Sequence, residues 1–187
     1  MGARKIQAPL TAEIAAGLAM GEEVLLSGTI YTARDQAHSR LCALLEKGEP
    51  LPFALEGAVI YFSGPTPTPP GKAVGSAGPT SAYRMDAFSP KLLKAGLKGM
   101  IGKGNRSKEV IEAMKAAGAA YFAATGGAGA LIAQRIKSST CVAYEDLGPE
   151  AIYRMEVEDF PLVVAIDSRG ENIYVKGPEK YREVESC

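Results

Sequence analysis

The run from Met100 to Asp146 constrains the fold more than any other part of this chain, because strand and helix signals alternate in it. Met100 to Gly102 reads as the end of a short strand. Ser107 then caps a helix that sets Val110, Ile111, Met114 and Ala117 at helical spacing and stops at Gly118. AAYFAA, from Ala119 to Ala124, is a second strand, and glycines 126, 127 and 129 lead into a small-residue helix, GALIAQRI. SSTCVAYED supplies one more strand. Strands joined by helices of about ten residues imply right-handed crossovers on a parallel sheet.

The flanks add to that layer. EEVLLSGTIY, from Glu22 to Tyr31, is a β-branched strand, and Arg34 to Lys47 repeat apolar residues at Ala37, Leu41, Leu44 and Leu45 until Gly48 stops the helix. Gly57 to Ser63 is another strand. The four prolines of GPTPTPPGK after it cannot enter a central sheet position. Ala73 to Gly78 reads as a short strand, and Ser89 before Pro90 as an N-cap opening a further helix. In the last third, AIYRMEVEDF, PLVVAIDSRG and ENIYVKG read as three strands with turns between them. The expectation is an α/β fold with mixed sheet layers, one domain over residues 1–187, with a frayed tail over about 178–187.

Composition excludes several function classes. The 187 residues carry 21 basic and 21 acidic side chains, so no net field draws in nucleic acid or an anionic membrane. Charges or prolines break every apolar run well short of the roughly 18 residues a membrane span needs. The opening MGARKIQAPLTAEI has no continuous apolar stretch, and the expected location is cytoplasmic. Cys42, Cys141 and Cys187 are far apart, lack C-x2-C spacing and read as unpaired thiols in helix core, strand core and tail. With His38 the only histidine, a self-contained metal site is not expected, and a metal used in chemistry would come from another polypeptide.

Three segments carry the candidate chemistry. TARDQAH, from Thr32 to His38, lies at a strand-to-helix junction, where free amide N–H groups and the helix dipole favour an anion. GPTSAYRMD, from Gly78 to Asp86, puts two hydroxyls and an arginine on a Gly-Pro turn, and GKGN sets Lys103 between two glycines. Arg34, His38, Thr80, Ser81, Arg84 and Lys103 together suit a small carboxylate. Singly, each cluster also reads plainly: a solvated helix start with Asp35 on the dipole, or a turn with an exposed arginine. Nucleotide binding fails on detail. GKGNRSKE lacks GxxxxGK spacing, and ATGGAGA lacks a third dinucleotide-loop glycine and a ribose-binding acid about twenty residues on. Small residues there let a helix sit close to a sheet.

The order of GTIYTARDQAH, GPTSAYRMD, GKGN and PLVVAIDSRGENIY, over nearly the whole chain, resembles the β-type subunit or C-terminal domain of class I iron-sulfur hydro-lyases, the fumarases and L-tartrate dehydratases. The resemblance implies a swivelling β/β/α domain and reversible hydration of fumarate to L-malate. It implies a partner α subunit carrying a 4Fe-4S cluster with one open iron, and no cofactor bound by this chain alone. By motif, Arg34 and Arg84 become carboxylate clamps and Lys103 an added charge. Thr80 becomes the hydroxyl at the reacting carbon, and His38 the family's acid/base histidine. Whether Thr80 or His38 performs the chemical step stays open. One departure is SAY, which sets Tyr83 beside Arg84, either to narrow the pocket or to pack on the partner. The rivals are tartrate dehydratase and a non-catalytic carboxylate- or phosphate-binding module.

Overall fold

Two apolar cores, separated by one sheet, organise the structure, a computed structural model that describes residues 2–179. The strands are β1 (Arg4–Ala8), β2 (Glu23–Thr32), β3 (Val59–Tyr61), β4 (Gly99–Gly102), β5 (Ala120–Ala123), β6 (Ile136–Ala143) and β7 (Ile152–Ile166). β1 to β5 run parallel in sequence order. The long β7 is antiparallel to β2, β5 and β6, so β2, β3, β4, β5 and β7 form a closed ring with β1 and β6 alongside. Closure leaves the central strands no free edge.

Period-2 alternation sorts their side chains between the cores. Val59, Tyr61, Ile101, Phe122, Phe160 and Val164 point to one core, while Ile60, Phe62, Met100 and Tyr121 point to the other. The second core is covered by α2 (Asp35–Lys47), α3 (Ser89–Lys94) and α4 (Lys108–Ala117), through residues such as Leu41, Leu92 and Met114. Burial on both faces explains the near-continuous apolar runs of these strands. Each large side chain buried there contributes about 1.5–3 kcal/mol. The remaining helices are short: α1 (Ala12–Ala16), α5 (Gly129–Ala133) and α6 (Ile173–Glu179).

The α/β reading of the chain holds, with five local corrections. SSTCVAYED contributes to β6, which does not extend the parallel layer but pairs antiparallel with β7 at the sheet edge. AIYRMEVEDF and PLVVAIDSRG merge into β7: the break at Asp159 is a bulge, with φ +48° and its N–H on Ser27 Oγ at 3.0 Å, and Pro161 continues the strand opposite Leu25. IYVKG lies in α6, because Asn172 accepts from Tyr174 N–H at 2.9 Å and caps a helix that its β-branched residues disguise. Ala73–Gly78 forms no strand. Its backbone bonds go instead to Thr66 and Gly129, folding the proline loop back on itself. Ser89 is the first residue of α3 rather than its cap, and its buried hydroxyl donates to the Met85 carbonyl at 2.9 Å. Ser107 does cap α4, accepting from Val110 N–H, and Gly118 ends it in the left-handed conformation. Of the tail expected to fray, residues 178–179 close α6 and the rest lie outside the described residues.

Candidate active site

The carboxyl ends of β2, β3 and β4 lie side by side; TARDQAH leaves from β2, GKGN from β4, and GPTSAYRMD passes over the ends of β3 and β4. Ligands collect at such an edge in α/β sheets. Arg34 sits between β2 and α2 as an N-cap residue with extended backbone, and its side chain makes no cap bond. It lies across Gly64: a Cβ there would be 3.1 Å from Arg34 Nη1 and 2.9 Å from the Pro149 carbonyl, so only glycine leaves it room. Arg34 Nη2 pairs with Glu150 Oε1 at 3.2 Å, and the other oxygen of Glu150 accepts from Gln36 N–H at 3.4 Å. A carboxylate of the chain itself therefore stands at the α2 N-terminus, where the sequence suggested an anion.

GPTSAYRMD crosses the ends of β3 and β4. Thr80 N–H donates to the Phe62 carbonyl at 2.6 Å, Lys103 N–H to Thr80 at 3.3 Å, and Ala82 N–H to Lys103 at 2.8 Å. Ser81 and Lys103 thus form a parallel bridge, which brings Thr80, Ser81 and Lys103 to one place. The chain then turns through a 3-10 segment, Ala82–Met85, that carries Arg84 toward α2. Arg84 Nε donates to Asp35 Oδ1 at 2.9 Å, while Arg34 Nε stands 3.8 Å from Asp35 Oδ2. The two arginines meet on one carboxylate. Lys103 is exposed; at Gly102 before it, a Cβ would lie 2.8 Å from the Phe62 ring, and at Gly104 after it φ is +85°. Of the ATGGAGA glycines, only Gly129 is packed closely, against Ser76 and the Gly78 backbone; Gly126 lies in ordinary contact with the Lys103 stem, and Gly127 turns the chain with φ +79°.

His38 lies one turn into α2, fully buried. Its ring meets Phe62 edge-on at 5.4 Å, and Nδ1 is 2.9 Å from the Arg34 carbonyl, so Nδ1 carries the proton it donates. Burial pushes its pKa down to about 4; the Arg34 carbonyl opposes this, and the positive charge of Arg106 adds to the fall. The imidazole is neutral at pH 7. Four buried side-chain polar atoms among the described residues have no hydrogen-bond partner in the chain, and three of them are Arg34 Nε, Asp35 Oδ2 and His38 Nε2. These three unmatched atoms all lie at the junction of β2 and α2, whereas buried polar atoms ordinarily find partners.

Four residues that hold the site in place escape a sequence reading. Asp35 read only as a dipole partner, and Glu150 carried no signal. Arg106, whose side chain is wholly buried, binds Asp86 Oδ1 at 2.7 Å and Ser89 Oγ at 2.6 Å, between the rings of Phe62 and Tyr121, each 5.2 Å away. Asp86 also accepts from Ser107 N–H at 2.8 Å. This pair ties the Arg84 turn to the Lys103 loop. The signal for it was the acid that ends GPTSAYRMD and the arginine that follows GKGN, two charges with no place on a solvated helix face.

The site is open. Arg84 keeps 40% of its side chain exposed, and Tyr83 beside it 70%. Neither the 690 Å³ cleft walled by Glu56, Pro90, Leu93 and Lys98 nor the 540 Å³ cleft beside Val74 and Gln134 includes any of the six candidate residues. Charge and convergence mark the site, not enclosure. Cys42 is buried on α2 and Cys141 half-buried on β6, both as free thiols. No three His, Cys, Asp or Glu side chains among the described residues converge as metal ligands, so this donor set does not fit an iron-sulfur cluster. No helix among them is long and apolar enough to cross a membrane.

The fold is an α/β domain that gathers Arg34, Arg84, Thr80, Ser81 and Lys103 at one sheet edge. Residues 3–177 match the family profile described as Fumarase C-terminus, and the chain belongs to that family. It is 42% identical over 159 residues to fumarate hydratase 2 of Leishmania major and 44% identical over 151 residues to the aerobic class I fumarate hydratase of Escherichia coli K12, covering 84% and 80% of this chain. It spans only 28% of the length of each of those relatives. A third relative, from Methanocaldococcus jannaschii, is named as an L(+)-tartrate dehydratase subunit beta; it is 38% identical over 176 residues, covering 89% of this chain and 88% of that one.

Proposed function

We propose that the chain is the β subunit of a two-subunit class I fumarate hydratase that adds water reversibly to fumarate, giving L-malate. The observation that carries this reading is the convergence of Arg34, Arg84, Thr80 and Lys103 on one sheet edge in a chain of the fumarase C-terminal family. Abstracting a proton next to a carboxylate makes an enediolate dianion, which needs fixed cations where charge accumulates. Arg34 and Arg84 supply forked donors that grip carboxylates with two parallel bonds, and Lys103 adds a point charge. Ser81, bridged to Lys103, adds a hydroxyl donor to the same end.

Thr80 is the group we assign to proton transfer at the reacting carbon. A threonine hydroxyl is a weak base, so it needs the neighbouring cation for activation. In this reading His38 holds the Arg34 carbonyl through its Nδ1–H, and its neutral ring keeps Nε2, buried and without a partner among the described residues, in the form that can accept a proton. On this reading the iron-sulfur cluster is carried by the partner polypeptide and would act as the Lewis acid for the departing hydroxyl. A cytoplasmic location is part of the same proposal.

A second reading, the β subunit of an L-tartrate dehydratase, is favoured by one observation: that relative is matched over 88% of its own length, as a separate chain of similar size. The test is to co-express the chain with the cysteine-bearing polypeptide that co-purifies with it and to assay fumarate against tartrate. Turnover of fumarate supports the first reading, and turnover of tartrate alone the second. A stable monomer with no partner and no turnover of either refutes both.

A further inference from the structure

The hydrogen bond between Asp35 and Arg84 leads beyond the reaction itself, because it decides which edge of a guanidinium faces a substrate. Arg84 reaches 40% exposure from a 3-10 turn, with nothing in its own segment to fix its torsions. Its Nε is spent on Asp35 Oδ1 at 2.9 Å, and the Arg84 side chain makes no other hydrogen bond among the described residues. A guanidinium offers a carboxylate either its Nε edge or its Nη1/Nη2 edge. With Nε taken, only the Nη1/Nη2 edge is left.

Asp35 also addresses a charge problem. Arg34 and Arg84 are brought together on one side chain, and two cations held there repel unless an anion stands between them. Oδ1 of Asp35 serves Arg84, and Oδ2 faces Arg34 Nε at 3.8 Å, both atoms buried and otherwise unpartnered. Arg34 is steadied from its far end by Glu150, on a separate loop. As the first residue of α2, Asp35 sits where the helix dipole favours its charge and where the rigid first turn fixes its position.

We propose that Asp35 is the positioning residue of the carboxylate clamp: it orients Arg84 through Nε, presents that arginine's Nη edge to the substrate, and is the shared counter-ion that lets Arg34 and Arg84 stand together. Asp35 does not touch substrate; it acts through the two arginines. The role deepens the hydro-lyase reading and rests on it for the nature of the ligand.

The test compares the wild-type assembled complex with Asp35→Ala and Asp35→Asn, alongside nitrogen-15 spectra of arginine side chains in the isolated chain. Asparagine retains an oxygen that accepts from Arg84 Nε but lacks the charge. In Asp35→Ala the KM for fumarate should rise by about tenfold or more with kcat changed much less, as expected for lost ground-state and transition-state binding alike. Asp35→Asn should recover a good part of that loss. The Arg84 Nε–H signal should be slow-exchanging in wild type and in Asp35→Asn, and fast-exchanging in Asp35→Ala. Unchanged KM in Asp35→Ala, equal losses in both variants, or an Arg84 signal indifferent to Asp35 would each overturn the proposal. An inactive wild-type complex would overturn the hydro-lyase reading instead, and the spectra would still decide the orientation of Arg84.

Discussion

Arg106→Met should be among the most destabilising substitutions in this chain, although it places an apolar side chain of similar length in a buried site. The Arg106 side chain is wholly inaccessible, and its charge is matched by Asp86 at 2.7 Å, by Ser89 Oγ at 2.6 Å and by the faces of Phe62 and Tyr121. Methionine fills most of the volume but strands Asp86, whose side chain is 16% exposed and keeps only the Ser107 N–H. Breaking one side of a buried pair costs about 3–5 kcal/mol. For a chain of this size each kcal/mol lowers Tm by about 2–4 °C, so the expected drop is roughly 6–20 °C. Urea denaturation of the single variant, of Asp86→Asn and of the double variant completes the cycle. Asp86→Asn removes the charge yet still accepts from Ser107, so the double variant should recover about 2 kcal/mol relative to additivity. A loss below about 1 kcal/mol in Arg106→Met, or strict additivity in the double, would refute the view that this pair locks the Arg84 turn to the Lys103 loop.

Acid should weaken the fold through His38. The unfolded chain takes up that proton near pH 6.5 and the folded chain only near pH 4, so between these values the unfolded state binds more protons and stability drops as the pH is lowered, by roughly 3 kcal/mol in all. In His38→Asn, whose amide replaces the Nδ1 donor, the gap in denaturation free energy between pH 7 and pH 4 should shrink by about that amount; an unchanged gap would mean the ring is not held neutral. Thr80→Ala in the assembled enzyme should lower kcat by about a hundredfold or more with little change in KM, and Thr80→Ser should restore much of it; an effect confined to KM would make Thr80 a binding group. Gly64→Ala should raise KM several-fold by pushing Arg34 aside, because the new methyl would lie 2.9 Å from the Pro149 carbonyl and 3.1 Å from Arg34 Nη1. Wild-type KM there would show that Arg34 is not seated on that glycine.

Sequence was informative where one period or one cap decides a segment. Ser107 and Gly118 bracket α4 by local chemistry alone, and the alternation of Val59, Ile60, Tyr61 and Phe62 suits a strand buried on both faces. It misled where tertiary contacts overrule local preference. Ile173 and Val175 carry strand propensity, yet Asn172 is held by Asn105 at 2.8 Å and opens a helix. Phe160-Pro161 looked like a turn because a proline inside a strand is rare, and the bulge at Asp159 accommodates it. At the site, the residues with unusual chemistry were visible in their motifs. Those that set their geometry were not, since Asp35, Glu150, Asp86 and Arg106 are ordinary charges until the fold brings their partners within 4 Å.

The openness of the clamp is itself a mechanistic constraint. An ion pair about 4 Å apart gains about 1 kcal/mol in water and about 4 kcal/mol at the effective dielectric of a protein surface. On the proposed reading, with Arg84 40% exposed and Lys103 exposed, this edge alone would grip a dicarboxylate weakly, its cations screened by salt. Stabilising an enediolate requires that water be excluded from these groups when charge develops. On the proposed reading, that exclusion comes from the partner closing over Tyr83, Arg84 and Lys103, so substrate affinity in the isolated chain should be feeble and strongly salt-dependent. Titration calorimetry with fumarate or malate, on the chain alone and on the complex, measures the difference. Equal affinity in the two would show that closure adds nothing and that the clamp is complete without a second polypeptide.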